Sequence, residues 1–256
     1  MPNTKPLQNK TALVTGASKG IGKAAALKLA RDGAFVIVNY ATDASGAAAA
    51  VAQIEKEEGR AIAIQGDISN LASIKTLFAD VDAALKKEGF TVLNILVNNA
   101  GIYPVATFEN TTEEEFDKTF NVNVKGLFFT SQEAVKRMTN GGRIINISTA
   151  LTRFATDSMI AYAASKGAVD LLTRDMAKSL GPKGITVNAV NPGLIRTEGT
   201  SFMTQDNTIV TAISGDTALG RVGEPDDIAG VVAFLANDNA RWVTAQTIEA
   251  SGGYHL

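Results

Sequence analysis

Tyr162 and Lys166 stand four residues apart in the run Ala161-Tyr162-Ala163-Ala164-Ser165-Lys166. Four helical residues turn the chain by about 400°, so on a helix both side chains share one face. A phenol with a pKa of about 10 is a poor acid or base at neutral pH. A cation a few ångströms away favours the phenolate and brings that value toward the working range. Tyr162 would then be able to give or take a proton at a carbonyl or alcohol oxygen. A half-buried Tyr beside a solvated Lys has the same spacing, so the pair takes its meaning from the rest of the chain.

A second chemical element lies upstream, in Thr15-Gly16-Ala17-Ser18-Lys19-Gly20-Ile21-Gly22. This loop follows a short apolar run and opens a segment of helical periodicity, the position at which a doubly wound sheet binds phosphate. Gly16 permits the tight turn, Gly20 lets the backbone approach a pyrophosphate, and Gly22 allows close packing of helix on strand. The spacing is G-x-x-x-G-x-G, and its context favours dinucleotide binding over a plain turn. An acid at the end of the second strand would hold a ribose diol and repel a 2′-phosphate. Here that place is Asn39-Tyr40-Ala41, and Lys19 supplies a cation, so NADP(H) is expected over NAD(H). Asp43, close by, keeps NAD(H) open.

The elements that must hold these groups alternate along the chain. Strands are expected at 12–14, 34–39, 61–65, 93–97, 143–147, 185–190 and near 247–248. Helices are expected at 21–31, 45–58, 71–87, 112–138, 160–180 and 225–236, with a looser stretch at 193–223. Thr112 and Glu115 form a capping-box signature at the start of the fourth helix. Regular alternation of this kind predicts a doubly wound α/β fold: a parallel sheet of about seven strands with helices on both faces. No Pro- or Gly-rich linker interrupts it, so residues 1–256 read as one domain.

Composition narrows the function. Of 256 residues, 45% are apolar and 20% charged, enough to bury a substantial core. The 24 basic and 26 acidic residues leave a net charge of −2, with no basic block to track a nucleic acid. The chain has no cysteine, which excludes disulfides, thiolate metal sites and a Cys nucleophile. Its one histidine, His255, is expected to be a frayed, solvated residue, leaving no metal site and no Ser-His catalysis. Residues 1–10 lack the apolar stretch of a secretory signal, and nothing approaches the ~20 apolar residues of a membrane span. A cytoplasmic location and no membrane partner are therefore expected.

The combination resembles the short-chain dehydrogenase/reductase family. Thr15 to Gly22, Asn98-Asn99-Ala100-Gly101, Asn123, Tyr162-x-x-x-Lys166 and Asn191-Pro192-Gly193 occur in that family's order, from about Lys10 to Gly253. Within it the chain looks like the NADPH-dependent 3-oxoacyl-acyl-carrier-protein reductases and related carbonyl reductases, with a Rossmann-like fold. The resemblance implies that Tyr162 is the general acid in ketone reduction and the base in alcohol oxidation. Lys166 would lower the Tyr162 pKa and hold the nicotinamide ribose, and Asn123 would hold a water leading from Lys166 to solvent. An Asn bonded within its own helix is the alternative for Asn123. Asn99, Ala100 and Gly101 would line the adenosine side of the cofactor. Asp67 and Ile68 would contact adenine, with an ordinary helix cap as the other reading of Asp67. Pro192, Gly193, Ile195 and Thr197 would fix the carboxamide.

Where the family usually carries a serine to bind the substrate carbonyl, this chain has Thr149, with Ser148 one residue earlier. Adjacent strand residues face opposite ways, so Thr149 is expected to take the role, with Ser148 through a local bulge as the alternative. Residues 194–220, including Phe202, Met203 and Ile209, would cover a small-molecule carbonyl or alcohol substrate, and Arg153-Phe154 could touch it. An NAD-dependent alcohol or sugar dehydrogenase of the same fold, or a non-catalytic NADP(H)-sensing module, are the other readings. Relatives of this type are commonly tetramers that pair the helices near 112–138 and 160–180, which implies a homo-oligomer.

Overall fold

The computed structural model describes residues 5–256; the first four residues of the polar N-terminal stretch lie outside them. Among the described residues, seven strands form one parallel sheet in the order β3-β2-β1-β4-β5-β6-β7. They are β1 (Thr11–Val14), β2 (Phe35–Tyr40), β3 (Arg60–Gln65), β4 (Ile95–Asn98), β5 (Arg143–Ile147), β6 (Thr186–Pro192) and β7 (Thr247–Ala250). The helices are α1 (Gly20–Arg31), α2 (Ala44–Lys56), α3 (Leu71–Lys87), α4 (Glu113–Phe120), α5 (Leu127–Val135), α6 (Ile160–Leu180), α7 (Ser201–Thr204), α8 (Asn207–Gly215) and α9 (Pro225–Ala236).

Strand side chains alternate between faces, and the central strands show why a nearly unbroken apolar run is needed here. Ala12 and Val14 of β1 join Val36 and Val38 of β2 in a core with Leu29 of α1, Ile54 of α2 and Val232 of α9. Leu13 and Ile37 point the other way, to Leu77 and Phe78 of α3, Ala134 of α5 and Ala177 of α6. Both faces are therefore covered, as a parallel sheet requires. β1 pairs with β2 on one side and with β4 on the other, Ala12 lying opposite Val36 and Ile95. The strand order reverses between β1 and β4, and that crevice is where open α/β sheets bind ligands.

The helix boundaries follow the sequence signals closely, with three departures. The capping box forms: Thr112 Oγ1 accepts from Glu115 N–H at 3.2 Å, and Glu115 Oε2 accepts from Thr112 N–H at 3.1 Å. The single helix expected over 112–138 instead contains a π-helical turn at Asn121–Gly126, between α4 and α5. Gly126 packs so tightly there that a Cβ would lie 2.6 Å from the Ile68 carbonyl oxygen. α2 stops at Lys56, short of the expected Glu58, because Glu58 turns left-handed (φ 60°) ahead of Gly59. The stretch at 193–223 carries α7 and α8, and Asp206 caps α8 by accepting from Thr208 and Ile209 N–H. No helix among the described residues is long and apolar enough to cross a membrane.

Candidate active site

A cleft of about 1220 Å³ runs along the carboxyl ends of the strands, from the glycine loop to Tyr162 and Lys166. That exceeds the range of an ordinary small-ligand pocket and leaves room for a dinucleotide and a second molecule. At one end the β1–α1 turn is held open by its glycines. Gly16 (φ 61°) lies so close to the next turn that a Cβ would sit 2.9 Å from Ala100 Cα. Gly20 also has positive φ (56°), and Thr197 faces it across the cleft. A Cβ on Gly22 would collide with the Asn99 side chain and the Gly16 carbonyl. A backbone stripped of side chains at a helix N-terminus fits a pyrophosphate.

Thr15 joins this loop to the β4 turn. Its hydroxyl accepts from Asn99 and Ala100 N–H, both at 3.0 Å, while Asn99 Nδ2 donates to the Thr15 and Gly16 carbonyls at 2.9 and 3.0 Å. The Asn98 amide points into the protein, donating to Ser131 and Asn146. The two Thr15 hydroxyl bonds cross 84 and 85 residues, and only the β-branched hydroxyl at the loop's entry marks Thr15 in the sequence.

At the end of β2, Asn39 borders the cleft and its side chain is turned inward. Asn39 is buried, and its Nδ2 donates inward to the Ile64 and Gly66 carbonyls at 3.3 and 3.0 Å. Both amide hydrogens are committed, so this side chain braces the turns and has none left to give a phosphate. Tyr40, Ala41 and Thr42 line the cleft beyond it, with no acid among them, and exposed Lys19 lies on the loop opposite. Asp43 caps α2, accepting from Gly46 N–H at 2.9 Å. That bond, with a second from the Ser18 hydroxyl, holds its carboxyl below the usual range. Asp67 also lines the cleft, but it is Asn70 that caps α3, accepting from Ala72 and Ser73 N–H. Ile68 is buried beside it.

At the other end, α6 brings Tyr162 and Lys166 to the tip of β5. Lys166 is buried; its Nζ donates to the Ile147 carbonyl at 2.7 Å and lies 5.9 Å from the Tyr162 ring centre. The helical spacing thus places the pair on one face. Its electrostatics differ from the sequence expectation. Burial pushes the Tyr162 phenol up to about 12, and the Thr149 hydroxyl, hydrogen-bonded to it, pulls the other way. Burial also pulls Lys166 down to about 8, opposed by the charge of Asp170. Two groups expected to be tuned by each other are instead governed first by removal from water.

The β5 tip separates the two candidate hydroxyls. Ser148 is buried and donates to the Lys166 backbone carbonyl at 3.3 Å, whereas Thr149 faces Tyr162. Asn123, inside the π turn, accepts from Ile102 N–H at 2.9 Å and donates to the Ile102 carbonyl at 2.9 Å and to Ser165 Oγ at 3.0 Å. Both hydrogens of its amide are used, and the side chain pins the loop after β4. Gly101 nestles between them: a Cβ there would lie 3.2 Å from Asn123 Oδ1 and 3.4 Å from Lys166 Nζ. Pro192, Gly193, Ile195 and Thr197 line the same cleft from the end of β6.

Several lining residues escaped the sequence reading. The Tyr103 ring stands edge-on to Tyr162 at 6.0 Å, and burial and the Glu198 charge both raise its pKa. His255 is exposed yet not frayed: its N–H donates to the Asp216 carbonyl at 3.1 Å and its ring packs on Phe154 and Tyr254. Of the apolar residues expected in the cover, Met203 lines the cleft and Phe202 faces solvent. Arg153 forms an ion pair with Glu249, away from the cleft lining.

Comparison with known proteins places this geometry among oxidoreductases. A family model described as enoyl-(acyl carrier protein) reductase matches residues 16–255. An uncharacterised oxidoreductase of Methylorubrum extorquens is 46% identical, over 96% of this chain and 98% of the relative. The chloroplastic NADPH-dependent aldehyde reductase-like protein of Arabidopsis thaliana is 40% identical, over 97% and 95%. Among solved structures, the angucycline C-6 ketoreductase LanV with bound NADP superposes with a TM-score of 0.93 at 44% identity, covering 98% of this chain and 97% of that one.

Proposed function

This chain belongs to the short-chain dehydrogenase/reductase family and is an NADP(H)-dependent, carbonyl-reducing oxidoreductase; we propose that Tyr162 is the acid that completes the reduction. The observation that carries this reading is the meeting of Thr149, Tyr162 and Lys166 at one end of a cleft whose other end is the glycine loop. NADPH, when bound, supplies the hydride that reduces the carbonyl carbon. The Tyr162 phenol gives its proton to the carbonyl oxygen, so that C=O becomes CH–OH. The Thr149 hydroxyl donates to the same oxygen as negative charge builds on it. Lys166 supplies positive charge behind the phenol and hydroxyl-binding capacity for the nicotinamide ribose. Run backwards, Tyr162 accepts the proton of an alcohol.

Binding divides among residues that line the cleft. Gly16, Ser18, Lys19, Gly20 and Ile21 hold the phosphates, with Tyr40 and Lys19 beside the 2′-phosphate, while buried Gly22 lets α1 pack against the Asn99 turn. Asp67, Ile68, Asn99, Ala100 and Gly101 take the adenosine half; Pro192, Gly193, Ile195 and Thr197 take the carboxamide. Residues 194–220 cover the substrate, so one domain both binds cofactor and reacts. Exposed Phe116, Phe128 and Leu171 lie on α4, α5 and α6, which supports pairing of these helices between copies.

The test is Tyr162→Phe assayed with NADPH and a ketone. Turnover should fall by about a hundredfold or more, the lower range of general acid catalysis, while NADPH binding by fluorescence titration stays near wild type. Retained turnover would remove Tyr162 from the chemistry.

A further inference from the structure

The substrate end of the cleft is walled by aromatic rings that come from two distant parts of the chain. Phe154 follows β5, and Tyr254 and His255 follow β7. Their ring centres lie 5.3 Å (Phe154–Tyr254), 5.0 Å (Phe154–His255) and 4.1 Å (Tyr254–His255) apart. All three line the cavity that contains Thr149 and Tyr162, and Tyr103 presents a fourth ring edge-on to Tyr162.

The cluster is fastened on both sides. Arg153 pairs with Glu249, Ser251 Oγ bonds the same carboxylate, and Tyr254 N–H donates to Ser251 Oγ at 3.1 Å. From the other side, Ala218 and Leu219 N–H donate to the Gly253 and Gly252 carbonyls at 3.2 and 3.0 Å. Rings held this way lose little freedom when they meet a ligand, which favours a rigid partner over a flexible one.

Charge narrows the class further. The segments that carry this wall, 151–159, 194–215 and 251–255, contribute Asp157 and Glu198 to the cleft lining and no lysine or arginine. Their arginines are engaged elsewhere, Arg153 with Glu249 and Arg196 with Glu224. A phosphate-bearing acyl carrier would meet two carboxylates there and no free cation.

The geometry points to a flat, uncharged aromatic ketone as the substrate class, gripped by Phe154, Tyr254 and His255 and excluding anionic acyl thioesters. This inference rests on the carbonyl-reductase reading above and specifies its substrate. The carbonyl lies against Tyr162 and Thr149, and the fused rings lie against the clamp.

Three probes separate the contributions: 2-tetralone, a flat neutral aromatic ketone; 2-decalone, its saturated analogue; and acetoacetyl-CoA, an anionic thioester. Oxidation of NADPH should proceed with kcat/KM about tenfold higher for 2-tetralone than for 2-decalone, the scale of one or two aromatic contacts, and slowest with acetoacetyl-CoA. Phe154→Leu, which keeps apolar bulk without a ring face, should bring the tetralone-to-decalone ratio toward one. Equal use of the two ketones by the wild type, a ratio unchanged in Phe154→Leu, or a preference for acetoacetyl-CoA would overturn the inference. Fluorescence titration with 2-naphthol reads the clamp without turnover. Binding that weakens in Phe154→Leu, in a protein that oxidises NADPH with no ketone, would sink the reductase reading and leave the clamp standing. Absence of 2-naphthol binding would sink the clamp alone.

Discussion

Tyr162 shows how far a spacing argument reaches. Its four-residue interval to Lys166 places both groups on one helical face, but the ionisation of each depends on how much water the fold removes, which no local pattern encodes. Burial raises the phenol to about 12 and lowers the ammonium to about 8. The consequences for stability have opposite signs. Lys166 is charged in both folded and unfolded chains below about 8, where its burial cost is present in full. Between about 8 and the ordinary 10.5 only the unfolded chain keeps the proton, so stability from this group rises with pH. Tyr162 works the other way, its contribution being lost as pH climbs from 10.0 to about 12. Urea unfolding should therefore show wild type gaining on Lys166→Met between pH 7 and 9.5; a constant gap would contradict the buried ammonium.

The paired hydroxyls give a second residue-scale expectation. Thr149→Val removes a donor from the developing alkoxide and should lower kcat by about a hundredfold. Ser148→Ala, which loses only a bond to the Lys166 backbone, should cost about 1 kcal/mol of stability in denaturant unfolding with turnover near wild type. The reverse ranking would transfer the role to Ser148. The two side chains do face different ways, Ser148 toward the Lys166 backbone and Thr149 toward Tyr162, as alternation of an extended backbone leads one to expect.

Element boundaries were legible where a local signal sets them, and lost where a distant contact does. The Thr112–Glu115 box is local, and α4 starts where it says. The π turn at Asn121–Gly126 is not: apolar spacing there is compatible with an ordinary helix, and the groups that meet it, the Ile68 carbonyl and the Ile102 N–H, come from distant turns. Thr15 belongs to the same class, a hydroxyl that unites two turns 84 residues apart. Thr15→Val should strip two amides of their acceptor and cost about 2–3 kcal/mol. Because those amides shape the glycine loop, the NADPH Kd should rise with it; unchanged affinity at reduced stability would confine Thr15 to the scaffold.

For the molecule as a whole, strand and helix alternation conveyed the class, the strand number and the end of the sheet at which chemistry happens. It could not convey the aromatic wall, since nothing near Phe154 announces Tyr254 a hundred residues later. A ligand that binds only the folded chain stabilises it by mass action, about 2.7 kcal/mol at a hundred times Kd. For a chain of this size that is a rise of several degrees in Tm. NADPH should produce it, and NADH at the same concentration should produce less; equal shifts would remove the discrimination assigned to Lys19 and the neutral end of β2.

Asn39 sets a limit on redesign of that preference. Exchanging a neutral residue at the end of β2 for aspartate is the obvious route to an NADH-using variant. Here the amide hydrogens of Asn39 feed two backbone carbonyls inside the sheet. A carboxylate in its place would confront both oxygens with a third and fourth, so the substitution would unsettle the β2–β3 edge before altering any coenzyme. Retooling has to begin at Tyr40 or beyond, where the side chains already belong to the cleft.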